Sequence, residues 1–318
     1  MLISILVPVF NWDISRLITS LLTEIDAIAS EGVVEVIVVD DASTDAALLS
    51  ANSAFLGSHS RPFLRYLPAE RNLGRAGVRN RLAAEASGRF LLFLDCDVLP
   101  DAADFIGNYL SCAKEDCHDV VCGGISYRTR VMSGAEFDYH AYLGNRKEVK
   151  PAALRSREPW RHILTSNIMV RKSVFQGTSF DERFIGYGYE DIEWGIRLSK
   201  RYRILHIDNT ASHLGLSSKA TVYQKMRASV RNYLLLKELC PEAFHASAVS
   251  KLVRFLESVP APLLTAADRL LKNGFLAAPF NKLCFVLFQL NFAVLLAHAL
   301  KRNAAGLPPQ DAAAGGAP

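Results

Sequence analysis

Residues 3–9 form an apolar, β-branched run ended by Pro8 and Asn11, after which Ile14, Leu17, Ile18, Leu21, Leu22 and Ile25 recur on one helical stripe. This pattern predicts a strand followed by an amphipathic helix. Val33 to Val39 is a second, nearly continuous apolar run that stops at Asp40-Asp41, as expected of a strand buried on both faces of a parallel sheet. A weaker strand near Phe63 to Leu67 leads into Arg71 to Asn80 and a helix predicted to reach Ser87, with Gly88 as its stop. Phe90 to Leu94 is the next buried strand, and it too ends on an acid, Asp95. Strand and helix thus alternate through the first third, which predicts an α/β, doubly wound sheet with its ligand crevice outside the carboxyl ends of the strands. Asp40, Asp41, Asp95 and Asp97 all fall at that edge.

The pattern then becomes mixed. A helix is expected near Asp101 to Lys114, a strand at Val120 to Ile125, a helix at Asp191 to Lys200 and a strand at Arg203 to Ile207, with Gly- and aromatic-rich loops between. Beyond Ser218 the chain reads as helical and increasingly apolar, and after Arg302 it is rich in Ala, Gly and Pro. The expected organisation is one domain with a first half at 1–100 and a second at 101–217, then a helical region at 218–302 and a disordered tail at 303–318. Leu283 to Leu300 is interrupted by Gln289, Asn291 and His298 and flanked by Lys282, Lys301 and Arg302. It is marginal in length for crossing a bilayer, so a packed or membrane-surface helix is expected ahead of a spanning one.

Half of the 318 residues are hydrophobic, enough for a large core without disulfide staples. Lys and Arg number 36 against 32 Asp and Glu, and so small and dispersed a surplus argues against a nucleic-acid groove. The opening Met1 to Pro8 lacks a basic leader and reads as a strand rather than a signal peptide. Cys96, Cys112, Cys117, Cys122, Cys240 and Cys284 include no Cys-x-x-Cys pair, so reduced, packed thiols in a cytoplasmic protein are expected.

Asp95-Cys96-Asp97 directly follows a buried strand, where a turn can project both carboxylates to one side. Paired carboxylates there suit Mg²⁺ or Mn²⁺ together with a diphosphate, since both cations prefer oxygen ligands; turn capping is the plainer account of such a triplet. Asp40 to Asp45 reads as an Asx turn followed by a helix N-cap at Ser43 or Thr44, and a carboxylate at this edge can also accept the imide N–H of uracil or thymine. Arg71, Arg75 and Arg79 are spaced four apart near a helix start with Gly74 and Gly77, forming either a diphosphate cradle or a solvated basic face. Glu190 and Asp191 open a helix, where acids ordinarily complement the dipole. The preceding Gly186-Tyr187-Gly188-Tyr189 adds two glycines for a mobile loop and two rings for stacking on a sugar. Thr165-Ser166-Asn167 reads as an acceptor-side strand edge or an ordinary polar loop.

The ordered set Pro8-Val9-Phe10-Asn11, Val38-Val39-Asp40-Asp41-Ala42-Ser43, Asn72-Leu73-Gly74 with Arg79-Asn80, and Leu94-Asp95-Cys96-Asp97 resembles family 2 glycosyltransferases. Gly186 to Asp191 is similar to the Glu-Asp loop of chondroitin polymerases and β-1,4-galactosyltransferases. The resemblance covers roughly residues 1–215 and implies a GT-A type, Rossmann-like mixed sheet with a C-terminal helical extension. It implies a donor-binding set of Pro8, Phe10, Asn11, Asp41, Asn72, Gly74, Arg75, Arg79 and Asp95, in which Pro8, Phe10 and Asp41 line the base pocket and Asp41 meets the pyrimidine N3–H. It further implies Asp95, Asp97 and His213 around the metal, Asp191 as catalytic base and Glu190 as an acceptor partner. His206 competes with His213 for the late ligand position. Cys96 and Tyr187 depart from the family pattern, the second at the position that touches the acceptor.

The implied activity is an inverting, metal-dependent transfer from a UDP-sugar, or secondarily a dTDP-sugar, to a hydroxyl of a glycan or lipid-linked acceptor. Mn²⁺ or Mg²⁺ is the implied cofactor, and the cytoplasmic face of a membrane is the expected setting. A non-catalytic nucleotide-sugar-binding regulatory protein is the alternative; an oxidoreductase is disfavoured because no Gly-x-Gly-x-x-Gly follows the first strand.

Overall fold

The computed structural model describes residues 1–28, 32–245 and 248–304. In chain order it begins β1 (Ile3–Val9), α1 (Ser15–Ala27), β2 (Val34–Asp40), α2 (Ala46–Ser58), β3 (Leu64–Pro68), α3 (Gly74–Glu85) and β4 (Phe90–Leu94). It continues β5 (Val98–Pro100), α4 (Phe105–Glu115), β6 (Val120–Cys122), β7 (Ile125–Ser126), α5 (Asp138–Lys147), α6 (Ala152–Arg155), β8 (Asn167–Arg171) and α7 (Lys172–Gly177). Next come α8 (Glu190–Ser199), β9 (Ile204–His206) and β10 (Ala211–His213), and then helices alone: α9 (Lys219–Leu239), α10 (Pro241–His245), α11 (Ala248–Leu256), α12 (Ala261–Ala277) and α13 (Asn281–Ala304). Two compact units are distinguished: 1–132, 144–185 and 190–215 form one, and 133–143, 186–189 and 216 onward form the other.

In the first unit the two longest apolar runs become neighbours. β1 pairs in parallel with both β2 and β4, and every residue of β2 is buried, which accounts for the absence of polar alternation in these runs. Glu35, near the start of β2, accepts hydrogen bonds from Ser4 Oγ, Ser87 N and Oγ, and Gly88 N. Burial pushes its pKa up, but these donors outweigh it and hold the carboxyl below its ordinary value. The seven-stranded sheet runs β3-β2-β1-β4-β8-β6-β9, with β8 antiparallel to both its neighbours. The expected doubly wound α/β body is therefore present, with a mixed sheet.

Residues alternate between two cores. Ile3, Ile5, Val7 and Val9 of β1 pack on the side of α1 and α4, whereas Leu6, Ile37, Leu91 and Phe93 face Ala76, Val78 and Leu82 of α3 and Trp194 of α8. Phe93, Phe175, Phe180 and Trp194 form a ring cluster with centroids 4.4 to 6.4 Å apart. Trp194 Nε1 donates to Thr178 O. Truncating an aromatic here costs about 3–5 kcal/mol. The consequence for the site is that α8 is anchored one turn beyond Glu190.

Several boundaries differ from the sequence reading for identifiable reasons. The expected strand Val120 to Ile125 is split at Gly123-Gly124, and β7 joins β5 and β10 in a separate three-stranded sheet. A Cβ on Gly123 would stand 2.4 Å from Asn209 O and from Tyr109 Oη, so close backbone approach makes the break. α2 is capped by Asp45, whose carboxylate accepts from Ala47 N and Leu48 N, rather than by Ser43 or Thr44; Ser43 is bonded to Asp40 instead. β5 and β10, three residues each, have too little apolar pattern to be read from sequence.

The second unit is helical. Asn232 Nδ2 of α9 donates to Tyr187 O and Gly188 O, and Tyr189 packs edge-on against Tyr233, so the glycine-tyrosine loop is tied down within this unit. α12 and α13 pack together. Asn281–Asn303 is long and apolar enough to cross a membrane, with mean hydropathy 2.1, yet half of its most apolar window is buried in the protein. Asn291, which interrupts that run, donates to Asp268 O and Oδ1, and Asp268 pairs with Arg227. α13 thus packs through a polar contact of its own. Of the expected tail, 303–304 end α13 and 305–318 lie outside the described residues.

Candidate active site

The carboxyl ends of β1, β2 and β4 deliver Val9, Asp40 and Leu94 to one edge, and β8, running the other way, starts there because Asn167 pairs with Leu94. At the β2 corner the acids are held by three backbone N–H groups and the Ser43 hydroxyl. Asp40 accepts from Ser43 N and Oγ; Asp41 accepts from Leu73 N at 2.6 Å and Gly74 N at 3.0 Å. Asn72 Nδ2 donates to Asp41 O. The N-terminus of α3, expected to cradle a diphosphate, thus has these two N–H groups already on Asp41. Burial raises the Asp41 pKa against the pull of the two N–H donors. Asn11, with φ of +48°, accepts from Thr44 N and Asp45 N and donates to Thr44 Oγ1, locking the end of β1 to the loop before α2. Pro8 and Phe10 flank buried Val9, both partly exposed.

The three spaced arginines have distinct fates. Arg71 precedes α3 and is exposed, Arg75 is exposed, and Arg79 is 2% exposed. Arg79 Nη2 donates to Asp95 Oδ1 at 2.5 Å, its Nη1 donates to Arg75 O, and Nη1 lies 3.8 Å from Glu190 Oε1. Arg75 approaches the same Glu190 oxygen at 3.9 Å. A buried guanidinium is tolerable only with such partners. Asn80, the next residue, holds the geometry: it exchanges hydrogen bonds with Phe180 N and O and donates to Glu182, joining α3 to the segment before α8. Burial pulls the Asp95 pKa up, but Arg79, Arg75 and His213 outweigh it, and the carboxyl is held below its ordinary value.

Asp191 is half-buried beside Glu190, and its Oδ1 accepts from Ile192 N at 2.8 Å. Burial and the neighbouring Glu190 charge push its pKa up to about 7. A carboxylate with that pKa is poised to take a proton near neutrality. The structure therefore brings Arg75, Arg79, Asp95, Glu190 and Asp191 into one constellation.

Asp97 and His213 form a second group: Asp97 Oδ2 and His213 Nε2 are 3.4 Å apart. β10 carries His213 opposite Val98, and Leu214 N donates to Asp97 O. A Cβ on Gly215 would come within 2.3 Å of Asp97 Oδ2, so the glycine makes room for this carboxylate. A carboxylate oxygen and an imidazole nitrogen at this separation suit adjacent positions on a divalent cation such as Mn²⁺, and Asp97 and His213 would hold it. Asp95 differs from them in having Oδ1 engaged by Arg79. His206, the competing histidine, is buried between Arg155 and Pro159 O. Burial and the guanidinium push its pKa down to about 4, and a cation would meet repulsion there.

Sequence reasoning missed Asp101 and Arg155, which build this frame, and singled out Asn167 for a different place in it. Asp101 accepts from Ser126, Thr210 and Ser212, fastening the three-stranded sheet that presents His213. Arg155, 1% exposed, donates to Cys122 O, Gly123 O and Ile207 O. Asn167 accepts from Tyr109 Oη and donates to Gly124 O and Asn209 O, so it serves the frame and not an open strand edge. No periodic signal marks any of these. A cavity of about 370 Å³ beside Cys96 is lined by Asn11, Trp12, Arg16, Leu48, Val131 and Leu214, among others.

Residues 4–177 match the family described as glycosyl transferase family 2. The chain is 26% identical over 246 residues to the uncharacterized glycosyltransferase YfnE of Bacillus subtilis (strain 168), the match covering 61% of this chain and 59% of that protein. It is 42% identical over 78 residues to the succinoglycan biosynthesis protein ExoO of Rhizobium meliloti (strain 1021), covering 24% of this chain and 21% of that one. The matches thus span less than two thirds of either relative. Among solved structures, S. aureus TarS 1-349 superposes with a TM-score of 0.51 at 20% identity, covering 96% of this chain and 92% of that one. The mannosyltransferase PcManGT from Pyrobaculum calidifontis, in complex with GDP-Man and Mn2+, gives a TM-score of 0.56 at 17% identity, with 95% and 86% covered. At these identities the structural likeness is one of fold.

Proposed function

Because the chain belongs to glycosyl transferase family 2 and is a glycosyltransferase, we propose that it moves a sugar with inversion from a nucleoside diphosphate donor to an acceptor hydroxyl, in a metal-dependent reaction. The observation that carries this reading is the constellation of Asp95, Arg79, Glu190 and Asp191 at the carboxyl edge of the sheet, with an Asp191 pKa of about 7. UDP-sugar is the first choice of donor and dTDP-sugar the second, with Pro8, Phe10, Asn11 and Asp41 bordering the base. The donor-plus-cation pairing in the Pyrobaculum mannosyltransferase supports extending metal use to this chain.

In this reading Asp191 takes the proton of the acceptor hydroxyl as it attacks the anomeric carbon. Glu190 accepts a hydrogen bond from the acceptor while Arg75 and Arg79 hold it in place. Arg75, exposed at the edge, meets the departing diphosphate; with the N–H groups of Leu73 and Gly74 at the start of α3 already on Asp41, side chains carry that charge. Asp97 and His213 hold the cation, with Asp95 beside them. Mn²⁺ or Mg²⁺ bound there would neutralise the charge growing on the leaving group. A panel of nucleotides and nucleotide sugars screened by thermal shift tests the reading: UDP or dTDP should stabilise weakly in EDTA and several degrees more with Mn²⁺. Asp97→Ala should abolish the metal-dependent part, and equal shifts in both proteins would sink the metal assignment.

The acceptor is a glycan or a lipid-linked sugar, reached from the cytoplasmic face of a membrane. Support comes from the helical unit, where Leu263, Leu270, Phe280, Leu283, Val286 and Leu290 are exposed and Arg269, Lys272 and Lys282 stand among them. Exposed apolar side chains interleaved with cations suit an interfacial helix pair. The full-length protein should sediment with anionic phospholipid vesicles, and Leu270→Asp with Val286→Asp should release it. A wild type that stays wholly in the supernatant removes the membrane part of the reading.

A further inference from the structure

We propose that Glu115, Cys117 and His118, at the turn between α4 and β6, form a binding site for a borderline-soft divalent cation of the zinc class, separate from the carboxylate site at the other edge of the sheet. One ligand atom from each lies within 4.8 Å of the other two, and Cys117 Sγ is 3.8 Å from Glu115 Oε2. Zinc bonds of about 2.0–2.3 Å to N, O and S imply a tetrahedral edge of roughly 3.3–3.8 Å, so small rotations of exposed side chains complete the set. Thiolate plus imidazole selects zinc over magnesium.

The backbone of this turn is pinned by ion pairs at the residues that alternate with the ligands. Asp116 ends α4 in the left-handed region, with φ of +56°, and pairs with both Arg89 and Arg171. Asp119, on the far side of the pair, is bonded to Arg171 Nε at 2.8 Å. The backbone that carries Cys117 and His118 is thus tied on both flanks to the start of β4 and the end of β8. They also sit just past the C-terminus of an eleven-residue helix, where the dipole favours a cation. Cys112 stands one turn back on α4, close enough that, after burial, Glu115 and Cys117 push its thiol pKa up. Three protein ligands leave a fourth position for water. A cation there would tie α4 to the turn without touching Asp95, Asp97 or His213.

Cobalt substitution reads the site directly. The reduced, full-length protein titrated with Co²⁺ should develop a thiolate-to-cobalt charge-transfer band that Zn²⁺ then displaces at one equivalent. Cys117→Ser should remove the band, His118→Ala should weaken Zn²⁺ binding at least tenfold, and Asp97→Ala should leave the band unchanged. All three positions are surface or loop residues, and circular dichroism checks that each variant folds. A wild type with no thiolate band, or a band that survives Cys117→Ser, overturns the proposal; so does loss of the band in Asp97→Ala.

Discussion

Two pairs of acids follow two buried parallel strands, Asp40-Asp41 after β2 and Asp95 with Asp97 after β4, and by position alone they are interchangeable. Their partners separate them. The first pair accepts hydrogen bonds at all four carboxylate oxygens from Ser43, Leu73 and Gly74, which makes these acids part of the loop architecture. The second pair faces side chains: Asp95 meets the Arg79 guanidinium, and Asp97 meets the His213 imidazole. Backbone donors cannot leave without unfolding a turn, whereas a guanidinium or imidazole can exchange its partner for a ligand. Substitutions at the first pair should therefore register first in stability and those around the second first in catalysis.

The largest expected effect is at Asp191, which shares the Arg79 environment with Asp95. Asp191→Asn keeps the size, and Asn Oδ1 can still accept from Ile192 N, but it removes the basicity. Turnover should fall roughly a hundredfold or more while donor affinity stays near wild type. The pH dependence has a definite sign. Burial and Glu190 raise the Asp191 pKa from its ordinary range to about 7, so the active, ionised form accumulates as pH rises through about 7, and kcat/KM should rise with it. Protonation of this acid favours the fold, so its contribution to stability is present at low pH and lost as pH passes about 7. Asp191→Asn should accordingly be no less stable than wild type at pH 8. Near-normal turnover in this variant, or a flat profile between pH 6 and 8, would leave Asp191 as a helix cap and put the second pair on the same footing as the first.

A smaller effect is expected at Gly215. Its added Cβ would collide with the Asp97 carboxylate and not with backbone, so Gly215→Ala should fold normally and displace the carboxylate. Mn²⁺ affinity, followed by isothermal titration in the presence of UDP, should fall about ten- to a hundredfold, on the scale of losing a well-placed support of a ligand. An unchanged affinity would show that Asp97 does not hold the cation.

The N-terminal half of this frame was legible because its signals are periodic. The runs in β1, β2 and β4, the stripe on α1 and the acids at the strand ends all follow from burial on a parallel sheet. Asp95, Asp97 and Asp191 could be nominated because each sits at a strand or helix terminus, and Arg79 because it repeats the four-residue spacing of Arg71 and Arg75; the family resemblance supplied the role implied for each. What was illegible depends on single contacts across long stretches of chain. Asp101 binds residues 25, 109 and 111 positions away, and Arg155 serves carbonyls of three separate residues. The capture of the α3 N-terminus by Asp41 belongs to the same class: composition showed a glycine-rich, basic helix start, but only the fold supplies the carboxylate that fills it.

The smallest catalytic effect, and the sharpest check on the comparison, lies at Asp40. This residue is 1% exposed, and its carboxylate accepts from Ser43 N at 2.7 Å and Ser43 Oγ at 3.0 Å. Asp40→Ala would leave the half-buried Ser43 N–H without its acceptor, a loss of about 1 kcal/mol, and for a domain of this size each kcal/mol moves Tm by about 2–4 °C. The melting temperature should therefore drop by a few degrees. Turnover of the protein that remains folded should stay within about threefold of wild type, because Asp40 touches neither Arg79 nor the Asp97 pair. Thermal unfolding and single-turnover kinetics on the same preparation separate the two quantities. A large loss of turnover at unchanged Tm would mean that the Asp40 carboxylate itself acts in the reaction, and that partners of the carboxylate oxygens do not distinguish structural acids from chemical ones in this molecule.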